Sequence, residues 1–319
     1  MLAAYVSRFS PASPVDGLSV GDRPAPTGRK NWTIVTVRAA SLNHHDLWSL
    51  RGVGLRPEQL PVVLGTDAAG MTEDGQEVVV HAVIGADGHG VGPGETRTLL
   101  SEKYDGTLAE QVVVPTHNLV PKPPDLTFEE AACVPTAWLT AYRMLFRTAG
   151  LKPGQSVLVQ GVGGGLASAA ITLAAAAGIE VFATSRSGAK RTAALALGAS
   201  HAVEPGGRLP HRVDAVIESV GAATWSHSVR SVRPGGVIAV AGATSGDPTA
   251  AELTRIFFNE ITVAGTTMGS RDELADVLAF MVRADIRPRI DRSMHLADAA
   301  AAITRLASGE HIGKIVLTP

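Results

Sequence analysis

Residues 156–178, SVLVQGVGGGLASAAITLAAAAG, constrain this chain more than any other stretch. An apolar run, Val157-Leu158-Val159, leads into a glycine cluster at Gly161, Gly163, Gly164 and Gly165. An alanine-rich segment then starts at Leu166 and stops at Gly178. That order predicts strand, tight turn and helix, with glycine just past the helix end. Glycines let the backbone turn sharply and let a pyrophosphate approach with no Cβ in the way. The helix start aims unpaired N–H groups and the positive end of its dipole at that phosphate. Gly161, Gly163, Gly164, Gly165 and Leu166 are therefore candidate dinucleotide contacts. No literal GxGxxG is present: the best frame runs from Val162 through Gly164 to Ala167, so two of its three glycines are replaced. On this turn alone, a flexible loop without a ligand is the alternative.

The following strand, Glu180-Val181-Phe182-Ala183-Thr184, argues against that alternative. About 20 residues past the fingerprint, an NAD site needs an acidic residue for the ribose. This chain has Ser185, then Arg186, with Lys190 one turn into the next helix. A carboxylate would repel a ribose 2′-phosphate, whereas a hydroxyl and two cations would bind it. The cofactor read from these residues is NADP(H). The competing reading makes Arg186 and Lys190 solvated charges at a helix start.

A chain of 319 residues suggests two domains. The formal net charge of -2 gives no reason to expect nucleic acid as a partner. No apolar run reaches the roughly 18 residues of a membrane helix, and MLAAYVSRF lacks a signal-peptide pattern. The single cysteine, Cys133, fits a reducing compartment, so a cytoplasmic location is expected.

Residues 1–122 read as β-rich, with strands expected at 2–6, 32–40, 77–83 and 109–114 between Pro/Gly clusters. A partly closed barrel or sandwich follows from that pattern. Thr127-Phe-Glu-Glu130 is a capping box, and Pro135 should break or kink the helix it opens. Strands then alternate with helices from 156 to 284, which predicts a parallel doubly wound sheet. A second capping box, Ser270-Arg-Asp-Glu273, opens the last of these helices. The tail from Ile286 carries a helix near 297–307 and a strand at 313–317, expected to return to the first domain. The division expected is thus 1–122 with 286–319, and 123–285.

Several motifs in this order carry a family resemblance: GTDAAG at 65–70, DGTLAEQVVVP at 105–115, LTAYRML at 139–145, the glycine turn, LGA at 197–199 and GKIVL at 313–317. Over nearly its whole length the chain resembles the medium-chain dehydrogenase/reductase superfamily, and within it the zinc-free quinone oxidoreductase branch. The resemblance implies an α/β fold, a Rossmann doubly wound parallel sheet plus a β-rich GroES-like catalytic domain. Further cofactor contacts are implied at strand ends: Ser219, Val220 and Gly221; Ala241, Gly242 and Ala243; Thr267 and Met268; and Thr140 in the helix between the domains. A homodimer formed by pairing the edge of the Rossmann sheet is implied as well, with 261–265 as the edge strand.

In the zinc alcohol dehydrogenases of this superfamily a Cys lies three residues before an Asp, where this chain has Asn43 before Asp46. Their Gly-His-Glu is here Gly65-Thr66-Asp67. The loop 85–103, where a zinc lobe would lie, has His89 but no Cys. His44 and His45, read as neighbours on a strand, would face opposite sides. No zinc is therefore expected. Without a Lewis acid, plain alcohol oxidation leaves an alkoxide unstabilised. Reduction of a quinone or an activated C=C needs only hydride, a hydrogen-bond donor and a proton source. The resemblance places Asn43 near the nicotinamide, where it is both a cofactor and a catalytic candidate; a turn residue satisfying backbone groups is the alternative. His45 and Tyr104 are candidate proton donors, with packing or surface roles as the alternative. The loop Arg51-Gly-Val-Gly54 lacks the Tyr that some enoyl reductases of the superfamily carry. The expected function is NADPH-dependent reduction of quinones or α,β-unsaturated carbonyl compounds. The competing readings are a zinc-free ketone or aldehyde reductase and a non-catalytic NADPH-binding protein.

Overall fold

The computed structural model describes residues 1–85 and 96–319; His89 lies outside the described residues. The chain divides into two compact units, Met1–Leu139 with Met268–Pro319, and Thr140–Thr267. These limits differ from the division at 122/123 and 285/286 expected above. The reason is packing: the helix Arg271–Arg283 lies on the strand Leu119–Pro121 and on the turn Val134–Trp138, and so belongs with the β-rich unit.

The unit Thr140–Thr267 is built on a parallel six-stranded sheet. Its strands lie side by side in the order His201–Val203, Glu180–Thr184, Ser156–Val159, Val213–Glu218, Val232–Val240 and Thr262–Gly265. In chain order this is third, second, first, fourth, fifth, sixth, the doubly wound arrangement of dinucleotide-binding sheets. The direction of winding reverses between Ser156–Val159 and Val213–Glu218. Both strands are buried on each face, which suits near-continuous apolar runs. Leu158, Phe182, Val216, Ile238 and Trp225 form the core.

In the other unit the long strand Trp32–Ser41 pairs with Asp67–Thr72, Gln111–Pro115 and Lys314–Thr318. The C-terminal strand therefore returns to the β-rich unit, as expected. The sequence reading missed the strands Leu18–Asp22 and Ile290–His295. Both capping boxes form: Thr127 Oγ1 accepts from the Glu130 amide at 3.1 Å, and Ser270 Oγ accepts from the Glu273 amide at 3.1 Å. Beyond Ala132 the helix gives way to a π-helical turn at Val134–Trp138, where Pro135 has no N–H to continue the ladder.

One local expectation is overturned. His44 and His45 do not sit on a strand; they open a helix, His44–Leu50, with Asn43 at its N-cap. Asp46 accepts a hydrogen bond from the Asn43 amide at 2.8 Å and from the Gly65 amide at 3.0 Å. The pattern Asn-x-x-Asp is a capping signal that was readable in the sequence.

His81 is fully buried in this unit and donates from Nε2 to the Gly269 carbonyl at 2.9 Å. Burial pushes its imidazole down to about 4, against the pull of that carbonyl. A folded-state value below the unfolded one means stability that is complete above about pH 6.5 and is lost as pH falls toward 4. The loss reaches about 2–3 kcal/mol near pH 4.5. Urea unfolding at pH 7 and pH 4.5 should show this increment in the wild type and not in His81→Gln.

Candidate active site

The glycine turn leaves the strand Ser156–Val159 at the point where the sheet reverses its winding. Ligands of such sheets bind outside the carboxyl ends of the strands at this switch point. Gly161 has φ +70°, and a Cβ there would meet Val220 Cγ2 at 2.4 Å. Gly163 has φ +152°, and its Cβ would meet Lys190 Nζ at 2.5 Å. Neither position accommodates a side chain. Gly164 caps the helix Gly165–Ala176, and nothing lies within 4 Å of where its Cβ would stand. Such a turn would let a pyrophosphate meet backbone N–H groups at a helix N-terminus. The residues present fit a dinucleotide, although the turn departs from the literal fingerprint.

A buried polar network, not anticipated from the sequence, holds this turn and the one beside it. Thr184 Oγ1 donates to Gln160 Oε1 at 2.6 Å and accepts from the Gly161 amide at 3.2 Å. The Gln160 amide lies 3.0 Å from Ser228 Oγ and 3.1 Å from His227 Nδ1. Ser228 Oγ in turn donates to Glu218 Oε2 at 2.6 Å. Glu218, wholly buried, also accepts from the Val220 amide at 2.8 Å, the Gly221 amide at 3.1 Å and Thr224 Oγ1 at 2.9 Å. The candidate contacts Ser219, Val220 and Gly221 are thus fixed by a carboxylate whose lone pairs are spent on backbone and hydroxyl donors.

At the end of the neighbouring strand, Ser185 is buried and its Oγ accepts from the Ser187 amide at 3.3 Å. Arg186 is exposed and makes no ion pair among the described residues. Arg191 cannot take its place: it is held by the Ser185 carbonyl at 2.8 Å and by Glu204 at 3.3 Å. Lys190 reaches over Gly163, which puts its ammonium beside the glycine turn. Lys190 thus lies at the glycine turn, while Ser185 and Arg186 follow the end of the neighbouring strand. Ala241, Gly242 and Ala243 follow the next strand and are half-buried, Thr267 is exposed, and Thr140 is buried in the helix Leu139–Tyr142. Met268 behaves differently from expectation. Its side chain packs into the apolar core of the β-rich unit, which leaves only its backbone as a candidate contact.

In the β-rich unit, Asn43 belongs to a buried cluster. Its amide group donates to Asp67 Oδ2 at 2.9 Å and Thr66 Oγ1 at 3.2 Å, and its Oδ1 accepts from Lys314 Nζ at 2.6 Å. Lys314 also donates to Asp67 Oδ2 at 3.0 Å and to the Leu42 carbonyl at 2.7 Å. Ser41 Oγ donates to Asp67 Oδ2 at 2.8 Å, while Thr66 Oγ1 lies 3.0 Å from Thr136 Oγ1. Lys314 and Asp67 are 3 % and 0 % exposed, so the pair is dry. Lys314 was the principal omission of the sequence reading. Its signal was a lysine inside an apolar strand, KIVLT, whose first four residues are all buried.

This donor set does not fit zinc, which takes thiolate, imidazole and carboxylate ligands. Amide and hydroxyl oxygens occupy the cluster, and its carboxylate already faces an ammonium. Among the described residues no group of three His, Cys, Asp or Glu side chains is placed to hold a metal.

His45 stands in the first turn of the helix that Asn43 caps. Its Nε2 lies 3.2 Å from Glu102 Oε1, and its buried Nδ1 has no hydrogen-bond partner among the described residues. Burial alone would lower its imidazole. The Glu102 hydrogen bond and the charges of Asp46, Glu102 and Asp67 outweigh burial, and the ring is raised above 6.5. His44 moves the other way, lowered by burial and by Arg51. Tyr104 is not joined to this cluster. Its ring packs edge-on against Trp32 at 4.9 Å, with Arg29 and Lys103 over it. Cys133 is buried and its thiol is pushed up to about 12, which leaves it inert.

Comparison with known proteins agrees with this architecture. Residues 29–124 match the alcohol dehydrogenase GroES-like domain, and residues 165–283 match the zinc-binding dehydrogenase family. A zinc-type alcohol dehydrogenase-like protein of Schizosaccharomyces pombe is 32 % identical across 89 % of this chain and 90 % of its own length. An acryloyl-coenzyme A reductase of Metallosphaera sedula is 29 % identical across 95 % of this chain and 96 % of its own. The solved structure of an NAD-dependent alcohol dehydrogenase superposes with a TM-score of 0.91 at 31 % identity, covering all of both chains. The chain belongs to the medium-chain dehydrogenase/reductase superfamily. Its class is an oxidoreductase built from a GroES-like domain and a Rossmann domain.

Proposed function

We propose that this oxidoreductase uses NADP(H) to reduce a conjugated substrate, a quinone or an α,β-unsaturated carbonyl compound, and that it does so without zinc. The observation that carries this reading is the Asn43–Asp67–Lys314 cluster. It offers hydrogen bonds and one ion pair, from a donor set that does not suit zinc. Such a site suits a reaction whose charge ends on an enolate or hydroquinone oxygen, which a donor and a proton satisfy. When bound, NADPH supplies the hydride. Asn43 orients through its buried amide, and His45 holds a proton close by. The name of the Metallosphaera relative, a reductase of an activated C=C, supports the substrate class. The name of the solved relative points to NAD; the choice of NADP(H) here rests on Ser185 and Arg186.

The test is NADPH consumption across a panel of quinones, enones, enoyl thioesters, saturated ketones and aldehydes. Turnover of the conjugated compounds is expected. Turnover of the saturated carbonyls alone would favour the zinc-free carbonyl reductase, and tight binding without turnover a non-catalytic role.

A homodimer through the Rossmann edge is part of this reading. Thr262–Gly265 is an edge strand; its Val263 is 43 % exposed, and Leu253, Phe257 and Phe258 of the preceding helix are 68 %, 62 % and 76 % exposed. Natural sheets rarely leave such an edge uncovered. Sedimentation at the dimer mass is expected; a monomer at micromolar concentration would remove this part. Among the described residues no helix is long and apolar enough to cross a membrane.

A further inference from the structure

Lys190 is the cation whose place in the fold a role at the ribose leaves unexplained. Its alkyl stem lies across Gly163: a Cβ there would meet Lys190 Cδ and Cε at 2.9 Å and Nζ at 2.5 Å. Glycine at 163 therefore makes room for this side chain, and the ammonium stands over the turn itself. Arg186, by contrast, is exposed just past the strand Glu180–Thr184. The two cations are thus placed on different features, one on the glycine turn and one after the neighbouring strand.

The turn offers fewer backbone donors than its glycines suggest. The Gly161 amide donates to Thr184 Oγ1 at 3.2 Å, and the Val162 amide donates to the Thr184 carbonyl at 2.8 Å. Both N–H groups are spent inside the protein. A positive charge over the turn supplies the attraction for an anion that these two amides do not. The placement also runs against local preference. Lys190 lies in the first turn of the helix Gly188–Ala196, where Ser187 Oγ accepts from its amide at 3.4 Å. The positive end of a helix dipole disfavours a cation there. Neither this helix nor Gly165–Ala176 carries an acidic residue in its first turn. A local preference broken in this way is expected at a functional site.

We propose that Lys190 binds the pyrophosphate of the dinucleotide, and that Arg186 is the cation that reads the 2′-phosphate. This rests on the dinucleotide-binding reading above, and it divides between two residues a duty that residue type alone assigns to both. The pyrophosphate is common to NADPH and NADH. Lys190 therefore sets the affinity for both nucleotides and the preference for neither. An ammonium suits that task, since it pairs as a point charge and needs no bidentate geometry.

The experiment titrates NADPH, NADH and adenosine 2′-monophosphate, which has no pyrophosphate, into wild type, Lys190→Met and Arg186→Ala by calorimetry. Lys190→Met keeps a stem that packs on Gly163 and removes the charge. It should weaken NADPH and NADH by the same factor, about 10- to 100-fold, within the range for hydrogen bonds to charged groups. Adenosine 2′-monophosphate should bind it as it binds the wild type. Arg186→Ala should do the reverse, weakening NADPH and adenosine 2′-monophosphate and sparing NADH. Without nucleotide, Lys190→Met should unfold at the wild-type temperature or slightly above it, because a cation leaves a helix start. The proposal is overturned if Lys190→Met weakens NADPH and spares NADH, which would return Lys190 to the 2′-phosphate. It is overturned as well if both nucleotides keep their affinity within a factor of about two, well short of the charged hydrogen-bond range. Equal loss of all three ligands with a lowered unfolding temperature would make Lys190 structural and also sink it. A wild type that binds neither NADPH nor NADH overturns the dinucleotide reading itself, and the role of Lys190 with it.

Discussion

Lys314→Met is expected to lower the free energy of unfolding by about 3–5 kcal/mol, because it strands a buried carboxylate. Asp67 Oδ2 would lose the Lys314 ammonium and, among the described residues, keep the neutral donors Ser41 and Asn43. Asn43 Oδ1 and the Leu42 carbonyl would lose their donor in the same substitution. The site sits where the C-terminal strand joins Trp32–Ser41, so the damage should spread to that pairing. The double variant Lys314→Met, Asp67→Leu should recover a large part of the loss, since paired removal of a dry ion pair is often close to neutral. Urea midpoints for the cycle give the coupling directly. Equal loss in the single and double variants would mean that the pair is not what the substitution breaks.

The second large effect belongs to the cofactor. Arg186→Ala should weaken NADPH by about 1.5–3 kcal/mol, or roughly 10- to 150-fold in Kd, the range for hydrogen bonds to a charged group. NADH, lacking the 2′-phosphate, should bind the variant as it binds the wild type. Arg186 is suited to this role because it is exposed and not committed to a protein carboxylate. Arg191, nearby, is already held by Glu204. Ser185→Asp should act in the same direction by repulsion. Fluorescence titration of both nucleotides separates the outcomes. Equal loss for NADH would assign Arg186 to the shared part of the cofactor or to stability.

Much of this arrangement could be read from the chain because local signals agreed with each other. The strand, glycine turn and helix at 156–178 follow from residue type alone, and so do the capping boxes at Thr127 and Ser270. Strand alternation with helices gave the parallel sheet. What could not be read was whatever depends on distant residues meeting. Lys314 and Asp67 are 247 positions apart, and His45 and Glu102 are 57. Neither pair leaves a local pattern. Glu218 is another such case, buried at the end of its strand and anchoring the adjacent turn. The helix at His44–Leu50 was missed for a different reason. Two histidines following a long strand suggested continuation, and the Asn43–Asp46 cap was passed over. Tyr104 was chosen for its chemistry, and the fold spends its ring on packing against Trp32.

The central claim is a reductase that works through hydrogen bonds and a paired lysine instead of a metal. The most direct measurement is the rate of NADPH oxidation by cyclohexenone after exhaustive chelation, and again after adding stoichiometric zinc. The account predicts the same kcat before chelation, after it, and with zinc restored. Activity that disappears with the chelator and returns with zinc would contradict it.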